Sequence, residues 1–244
     1  MKFPVYIPSK SRANTCSTAK LLADCGLEFL IAVEPSEVGE YSSIYGRDRI
    51  LDIKENSKGL AYSRNFCMRH AESLGFAYCW QLDDDLTAFY FRRKGKNEKC
   101  KASEAMQYIE QAIFQYANIA AAGLKHCVFA WSEKRPVSIN RQVYTAQIIR
   151  TNTGKYFRSG TISDADFNMQ ILAAGWCTVL FNRVIFSTST TIGHDLSEEG
   201  VDEKFLSLKK TWPGVFKIRK TPSGPRIAPS NVWSKFPQRP IRRA

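Results

Sequence analysis

No apolar run in the chain approaches the length that a bilayer span needs, and the opening Met1-Lys2-Phe3-Pro4-Val5-Tyr6-Ile7-Pro8 is too short and too broken by proline for a secretory signal. The expectation is a soluble protein with no membrane span, located in the cytoplasm. Zinc-type spacing is missing too. Seven cysteines, at 16, 25, 67, 79, 100, 127 and 177, form no CxxC pair, and their odd number argues against a disulfide framework. They read as reduced thiols, several of them buried. Acidic residues are absent altogether between Phe205 and Ala244, a stretch that holds ten Lys or Arg. No internal repeat is present.

What the chain does have is size and positive charge. Its 244 residues, 44% hydrophobic, suffice for one sizeable domain with an ordinary core, assigned to residues 1–204, followed by a basic C-terminal arm, residues 205–244. The net charge of +12 favours a polyanionic partner, nucleic acid first and an anionic membrane surface second.

Val5-Tyr6-Ile7 predicts a first strand, followed by a polar turn, a helix stopped by Gly26 and a second strand over Phe29 to Val33. Ile50 to Ile53 predicts a short strand. A helix opens at Gly59-Leu60 with Leu60, Cys67, Ala71 and Leu74 on one stripe, and Gly75 stops it. Residues 92–101 read as a basic insert. A helix carrying Met106, Ile109, Ile113 and Ala117 is expected to run to about Gly123. Val128 to Trp131, Val143 to Ile149 and Thr178 to Phe186 read as strands, with a helix opening at Ser163 and ending at Gly175. Alternating strands and helices imply an α/β fold with a mainly parallel sheet, whose ligands sit at the carboxyl ends of strands.

The most telling run is Phe76-Ala77-Tyr78-Cys79-Trp80-Gln81-Leu82-Asp83-Asp84-Asp85, a strand that ends in three carboxylates. Such a cluster repels itself unless something positive sits among it. Mg²⁺ or Mn²⁺, held by one or two carboxylates and completed by substrate phosphates, answers that need, whereas a solvated acidic loop needs no metal.

Gly59-Leu60-Ala61-Tyr62-Ser63-Arg64-Asn65, a helix, Gly75 and a strand into Asp83-Asp84-Asp85 together resemble the nucleotide-sugar glycosyltransferases of the GT-A fold. Ile7-Pro8-Ser9-Lys10-Ser11-Arg12 and the stretch from Val33-Glu34-Pro35 to Tyr41 are similar to the TET/JBP-associated glycosyltransferases, which act on hydroxymethylpyrimidines in DNA. The resemblance covers most of residues 3–195 and not the C-terminal arm.

It implies a Rossmann-like central sheet flanked by helices, a UDP-sugar donor and a divalent metal. Asp83 and Asp85 would hold that metal, with Asp84 beside them and His194 completing the shell; a lone histidine such as His194 is equally well a surface residue. The donor pocket would comprise Pro8, Ser9, Arg12, Glu34, Arg64, Asn65, Asp83 and Asp84. Arg12 would face the diphosphate, Glu34 the nucleoside, and Arg64 or Asn65 the nucleotide or sugar hydroxyls. For Glu34 and Arg64 a surface ion pair is the competing reading.

Asp164 or Asp166 would take the acceptor's proton, although the family's Glu-Asp pair reads Ser163-Asp164 here and acids at a helix start also suit the helix dipole. His70 and His126 read as structural. Arg92, Arg93, Lys94, Lys209, Lys210, Lys217, Arg219 and Lys220 are the expected nucleic-acid contacts, with Trp212, Phe216, Trp233 and Phe236 interleaved for base stacking. An arm wrapped on its own domain would show the same composition. Two rival functions keep part of this picture: transfer to a saccharide, lipid or protein hydroxyl, and a non-enzymatic nucleic-acid binding module.

Overall fold

The structure, a computed structural model, describes residues 1–130, 135–189, 203–221, 224–229 and 235–243, with backbone alone for 217–221 and 224–229. In chain order the elements are β1 (Val5–Pro8), α1 (Ser17–Ala23), β2 (Leu30–Val33), α2 (Val38–Tyr45), β3 (Ile50–Asp52), α3 (Gly59–Ser73), β4 (Tyr78–Leu82), β5 (Leu86–Arg93), β6 (Lys96–Cys100), α4 (Ala102–Phe114), β7 (Ile119–His126), β8 (Val137–Ile139), β9 (Ala146–Arg150), α5 (Ser163–Ala173), β10 (Cys177–Thr188), α6 (Glu203–Thr211), β11 (Phe216–Thr221) and β12 (Gly224–Pro229).

The central sheet runs β3-β2-β1-β4-β9-β7-β10-β5-β6, with β8 paired to β10. Strands β3, β2, β1 and β4 are mutually parallel, as are β7 and β10, while β9, β5, β6 and β8 pair antiparallel to their neighbours. The α/β architecture with a largely parallel sheet between helices agrees with the sequence expectation.

Alternation along the strands builds two cores. Val5 and Ile7 of β1, Trp80 and Leu82 of β4, and Ala146 and Ile148 of β9 join α1 and α4 on one face. Tyr6, Cys79 and Ile149 join Cys67, Met68 and Ala71 of α3 and Phe167 and Ile171 of α5 on the other. Trp80 is fully buried, and its indole N–H donates to Glu110 Oε1 at 2.9 Å. Gly123 lets β7 lie close to β9: a Cβ there would fall 3.0 Å from both the Ala146 carbonyl oxygen and Val143 Cβ.

Several local expectations are corrected. The helix after Lys101 ends at Phe114, and Ile119–His126, including Gly123, forms a strand inside the sheet. Residues buried on both faces carry no alternation, so the alanine-rich run reads as more helix. Cys127–Phe129 is a single 3-10 turn rather than a strand. In α3 the buried residues include Ala61, Arg64, Cys67, Met68 and Ala71, whereas Leu60 and Leu74 are exposed. The basic insert is the edge hairpin β5–β6, turning at Lys94 and Gly95 with φ of 48° and 81°.

The described residues of the C-terminal stretch pack on the domain, one of the two arrangements its composition allows. Helix α6 buries Phe205 and Leu208, together with Phe216, against Ala165, Met169 and Leu172. Residues 235–243 are tied down by Asn140, which donates to the carbonyls of Phe236 and Gln238, and by Asn118, which pairs with Arg239 and Ile241. No described helix is long and apolar enough to cross a membrane.

Candidate active site

The parallel half of the sheet ends its strands β1, β2 and β4 at one edge, and the antiparallel β9 begins there. Four segments meet at that edge: the turn after β1, the end of β2, the acidic turn after β4 and the start of α5. Thr18 of α1 fixes the acidic turn. Its hydroxyl donates to the Asp83 carbonyl at 2.5 Å and accepts from the Leu86 N–H at 2.8 Å.

Strand alternation then sorts the three carboxylates onto different faces. Cys79, Gln81 and Asp83 continue on the α3/α5 side, where Arg64 Nη2 donates to Asp83 Oδ1 at 2.8 Å. Asp84 lies on the α1 side. Ser9 Oγ donates to it at 2.6 Å and Arg12 Nη1 at 2.7 Å, while the Tyr41 hydroxyl bonds Ser9 Oγ at 2.7 Å. Burial pushes the Asp84 carboxyl up, opposed by Ser9 and Arg12. Asp85 is half-buried in the same turn, and its charge acts on the His126 imidazole. The positive charge that an acidic cluster demands is thus supplied in part by two arginines.

Arg64 is 1% exposed and donates through Nη1 to Asp164 Oδ1 and through Nη2 to Asp83 Oδ1. Burial works against its charge, and the two carboxylates outweigh that effect and hold it protonated. Asp164 stands in the first turn of α5 with its side chain 23% exposed, and Gln147 Nε2 approaches the same oxygen at 3.5 Å. Burial lifts the Asp164 carboxyl above the usual carboxylate range, Arg64 lowers it and Asp83 raises it again.

Asp166, the other candidate base, is fully buried and saturated. It accepts from Arg158 Nε at 2.7 Å and from Arg158 Nη2, from Trp212 Nε1 at 2.8 Å and from Gln170 Nε2 at 2.8 Å.

Of the expected donor residues, Pro8, Ser9, Arg12 and Glu34 stand at the edge. Lys10 Nζ holds both Glu34 oxygens, at 2.8 and 2.9 Å, and keeps that carboxyl below its ordinary value. Arg64 lies beneath the edge rather than on it. Asn65 spends both ends of its carboxamide on the Phe157 backbone, each at 2.8 Å. His194 lies outside the described residues. His70 accepts or donates to the Tyr6 hydroxyl at 2.7 Å, and His126 packs on Phe186, both consistent with structural roles.

Lys10, Gln147 and Arg158 were not singled out by the sequence; the one available signal is Gln147, a polar residue inside an apolar strand. Arg92 bonds Asn97, Arg93 and Lys94 are exposed on the hairpin, Lys209 and Lys210 are exposed on α6, and Lys217, Arg219 and Lys220 stand on β11.

Among the described residues no group of three or more His, Cys, Asp or Glu is arranged to enclose a metal ion. The carboxylates of Asp83 and Asp85, the residue types that hold a hard cation together with phosphates, are half-buried, whereas both oxygens of Asp84 are bonded, to Ser9 and Arg12.

The family model for TET-associated glycosyltransferases matches residues 3–195. The chain belongs to this family. It is a glycosyltransferase, and the matched span includes every residue of the edge just described. No curated protein sequence matches it. Among solved structures, A197 from STIV is similar at 10% identity and TM-score 0.45, with 95% of each chain covered. A putative nucleotide-diphospho-sugar transferase from Desulfovibrio desulfuricans G20 is similar at 9% identity and TM-score 0.46, over 85% of this chain and 94% of that one. The TET-associated glycosyltransferase assignment rests on the family match.

Proposed function

We propose that this TET-associated glycosyltransferase moves a sugar from a UDP-sugar to the hydroxymethyl group of 5-hydroxymethylcytosine or 5-hydroxymethyluracil in DNA. The observation that carries the reading is the pairing of Asp83 and Asp164 across one buried guanidinium at the strand ends; in this reading Asp83 serves the donor and Asp164 the acceptor.

In this reading Asp164 accepts the proton of the acceptor hydroxyl as its oxygen bonds the anomeric carbon. The bond from that carbon to the diphosphate oxygen breaks, and its electron pair leaves with UDP. A single displacement of this kind inverts the anomeric carbon. Ser9, Arg12 and Glu34 form the donor side: Arg12, with its side chain 46% exposed, faces the diphosphate while balancing Asp84, and Glu34 with Lys10 meets the nucleoside. A Mn²⁺ or Mg²⁺ ion bound by Asp83 and Asp85 would neutralise charge on the departing diphosphate.

The acceptor class is supported by the net charge of +12 and by the exposed Arg93, Lys94 and Lys96 of the hairpin. The test incubates the protein with Mn²⁺, a panel of UDP-sugars and DNA containing hydroxymethylcytosine, hydroxymethyluracil or normal bases, and weighs the digested nucleosides. A hexose or pentose increment on one modified base is the expected result, and UDP release without any nucleoside increment would remove DNA as acceptor. Chelation with EDTA should abolish transfer; full turnover after chelation would remove the metal.

DNA binding should also weaken steeply with salt. If about six phosphates are contacted, the log–log slope is about −5, and replacing Arg93, Lys94 and Lys96 by Gln should flatten it by about 2–3. A slope near zero in the wild-type protein would point to a saccharide, lipid or protein acceptor.

A further inference from the structure

We propose that Arg64 is the positioning residue of this enzyme, a guanidinium fork that aligns the acceptor-side Asp164 with the donor-side Asp83. The inference rests on the reading of those two carboxylates given above. Arg64 projects from α3, Asp83 follows β4 and Asp164 opens α5, so three elements that approach the edge separately are fixed to one rigid, planar group. The directions of a guanidinium's N–H bonds are set by its plane, and an ammonium in the same place supplies charge without that angular control.

The surroundings hold the plane in turn. The Arg64 guanidinium lies 5.3 Å from the Phe157 ring centroid, Phe157 stacks on Phe167 at 4.2 Å, and the neighbouring Asn65 clamps the Phe157 backbone from both sides. Gln81 Nε2 donates to the Arg64 carbonyl at 2.8 Å. From the sheet below, Gln147, the cross-strand partner of Gln81, reaches the same Asp164 oxygen that Arg64 holds.

Stability alone is a poor account of this arrangement. An ion triad built around a buried guanidinium contributes little net stability compared with well-packed apolar side chains. The arrangement also leaves Arg64 Nε, Gln81 Oε1 and Gln147 Oε1 buried without hydrogen-bond partners among the described residues. Each buried polar atom in that condition calls for an explanation, and a site held in a fixed geometry supplies one. Misplacing a reacting group by about 1 Å costs on the order of 100-fold in rate, which sets the effect expected from losing the fork.

The test is Arg64→Lys, with UDP release followed at saturating donor and acceptor, UDP affinity measured by calorimetry and folding checked by circular dichroism. The expected outcome is a fall in kcat of about 100-fold with KM for the donor and UDP affinity changed by less than about threefold. In Arg64→Ala, added guanidinium ion should restore part of the lost kcat and leave the wild-type rate unchanged. Should Arg64→Ala fail to fold, Arg64→Lys decides. A folded Arg64→Lys protein with kcat within twofold of wild type overturns the proposal, as does a loss that tracks UDP affinity. UDP release is read with whatever acceptor the wild-type enzyme uses, water included, so absence of transfer to DNA refutes the acceptor assignment while leaving this result readable.

Discussion

Asp164→Asn should give a folded protein that still binds UDP and transfers sugar about 10²–10⁴ times more slowly. The carboxamide oxygen can still accept from Arg64 Nη1 and Gln147 Nε2, so the local geometry survives, and Arg64 keeps Asp83 as counter-ion. What disappears is the capacity to take a proton. The pH dependence gives an independent readout. Burial raises the Asp164 carboxyl, with Arg64 lowering it and Asp83 raising it again. A base must be ionised to act, so wild-type kcat should fall as pH drops through that raised value, which lies above the ordinary aspartate value of about 4. The residual rate of Asp164→Asn should lack this acid limb. Full activity in the variant, or an acid limb that persists in it, would remove Asp164 as the base.

The regular parts of the fold were legible because local signals agree there. Gly26 and Gly75 both adopt positive φ where the sequence placed helix stops, and the buried run Tyr78–Leu82 leads directly into the acidic turn as expected. The central strand Ile119–His126 was hidden because an alanine-rich segment buried on both faces has no period of two to betray it. The site was legible as a list of residues and not as a geometry. Asp83, Asp84 and Asp85 look equivalent in sequence, yet alternation at the strand end sends Asp83 to Arg64 and Asp84 to Ser9 and Arg12.

Arg64 was the least readable position. Hydropathy assigns an arginine to the surface, and the partners that make its burial possible lie 19 and 100 residues away. The same limit applied to the choice between Asp164 and Asp166. Both stand in the first turn of one helix, and only tertiary contacts separate a carboxylate open to the strand ends from one closed off by Arg158, Gln170 and Trp212.

Those contacts predict the opposite phenotype for Asp166→Ala. The substitution removes the acceptor that joins Trp212, one residue past α6, to the first turn of α5, and with it the ordered position of Arg158. Arg158 is 48% exposed and recovers hydration, so its share of the cost is small. The half-buried Trp212 N–H and the cavity left by a fully buried carboxylate do not recover in this way. A loss of roughly 2–3 kcal/mol follows, or about 4–12 °C in Tm for a chain of this size. Well below that transition, kcat should stay near the wild-type rate, because both Asp166 oxygens are taken up by Arg158, Gln170 and Trp212 and none is turned toward the strand ends where we propose that sugar transfer occurs. Calorimetric melting combined with turnover at low temperature separates the possibilities: a hundredfold loss of kcat at unchanged Tm would transfer the proton-accepting role from Asp164 to Asp166, and a lowered Tm with intact kcat would make Asp166 the anchor of the C-terminal helix on the glycosyltransferase core.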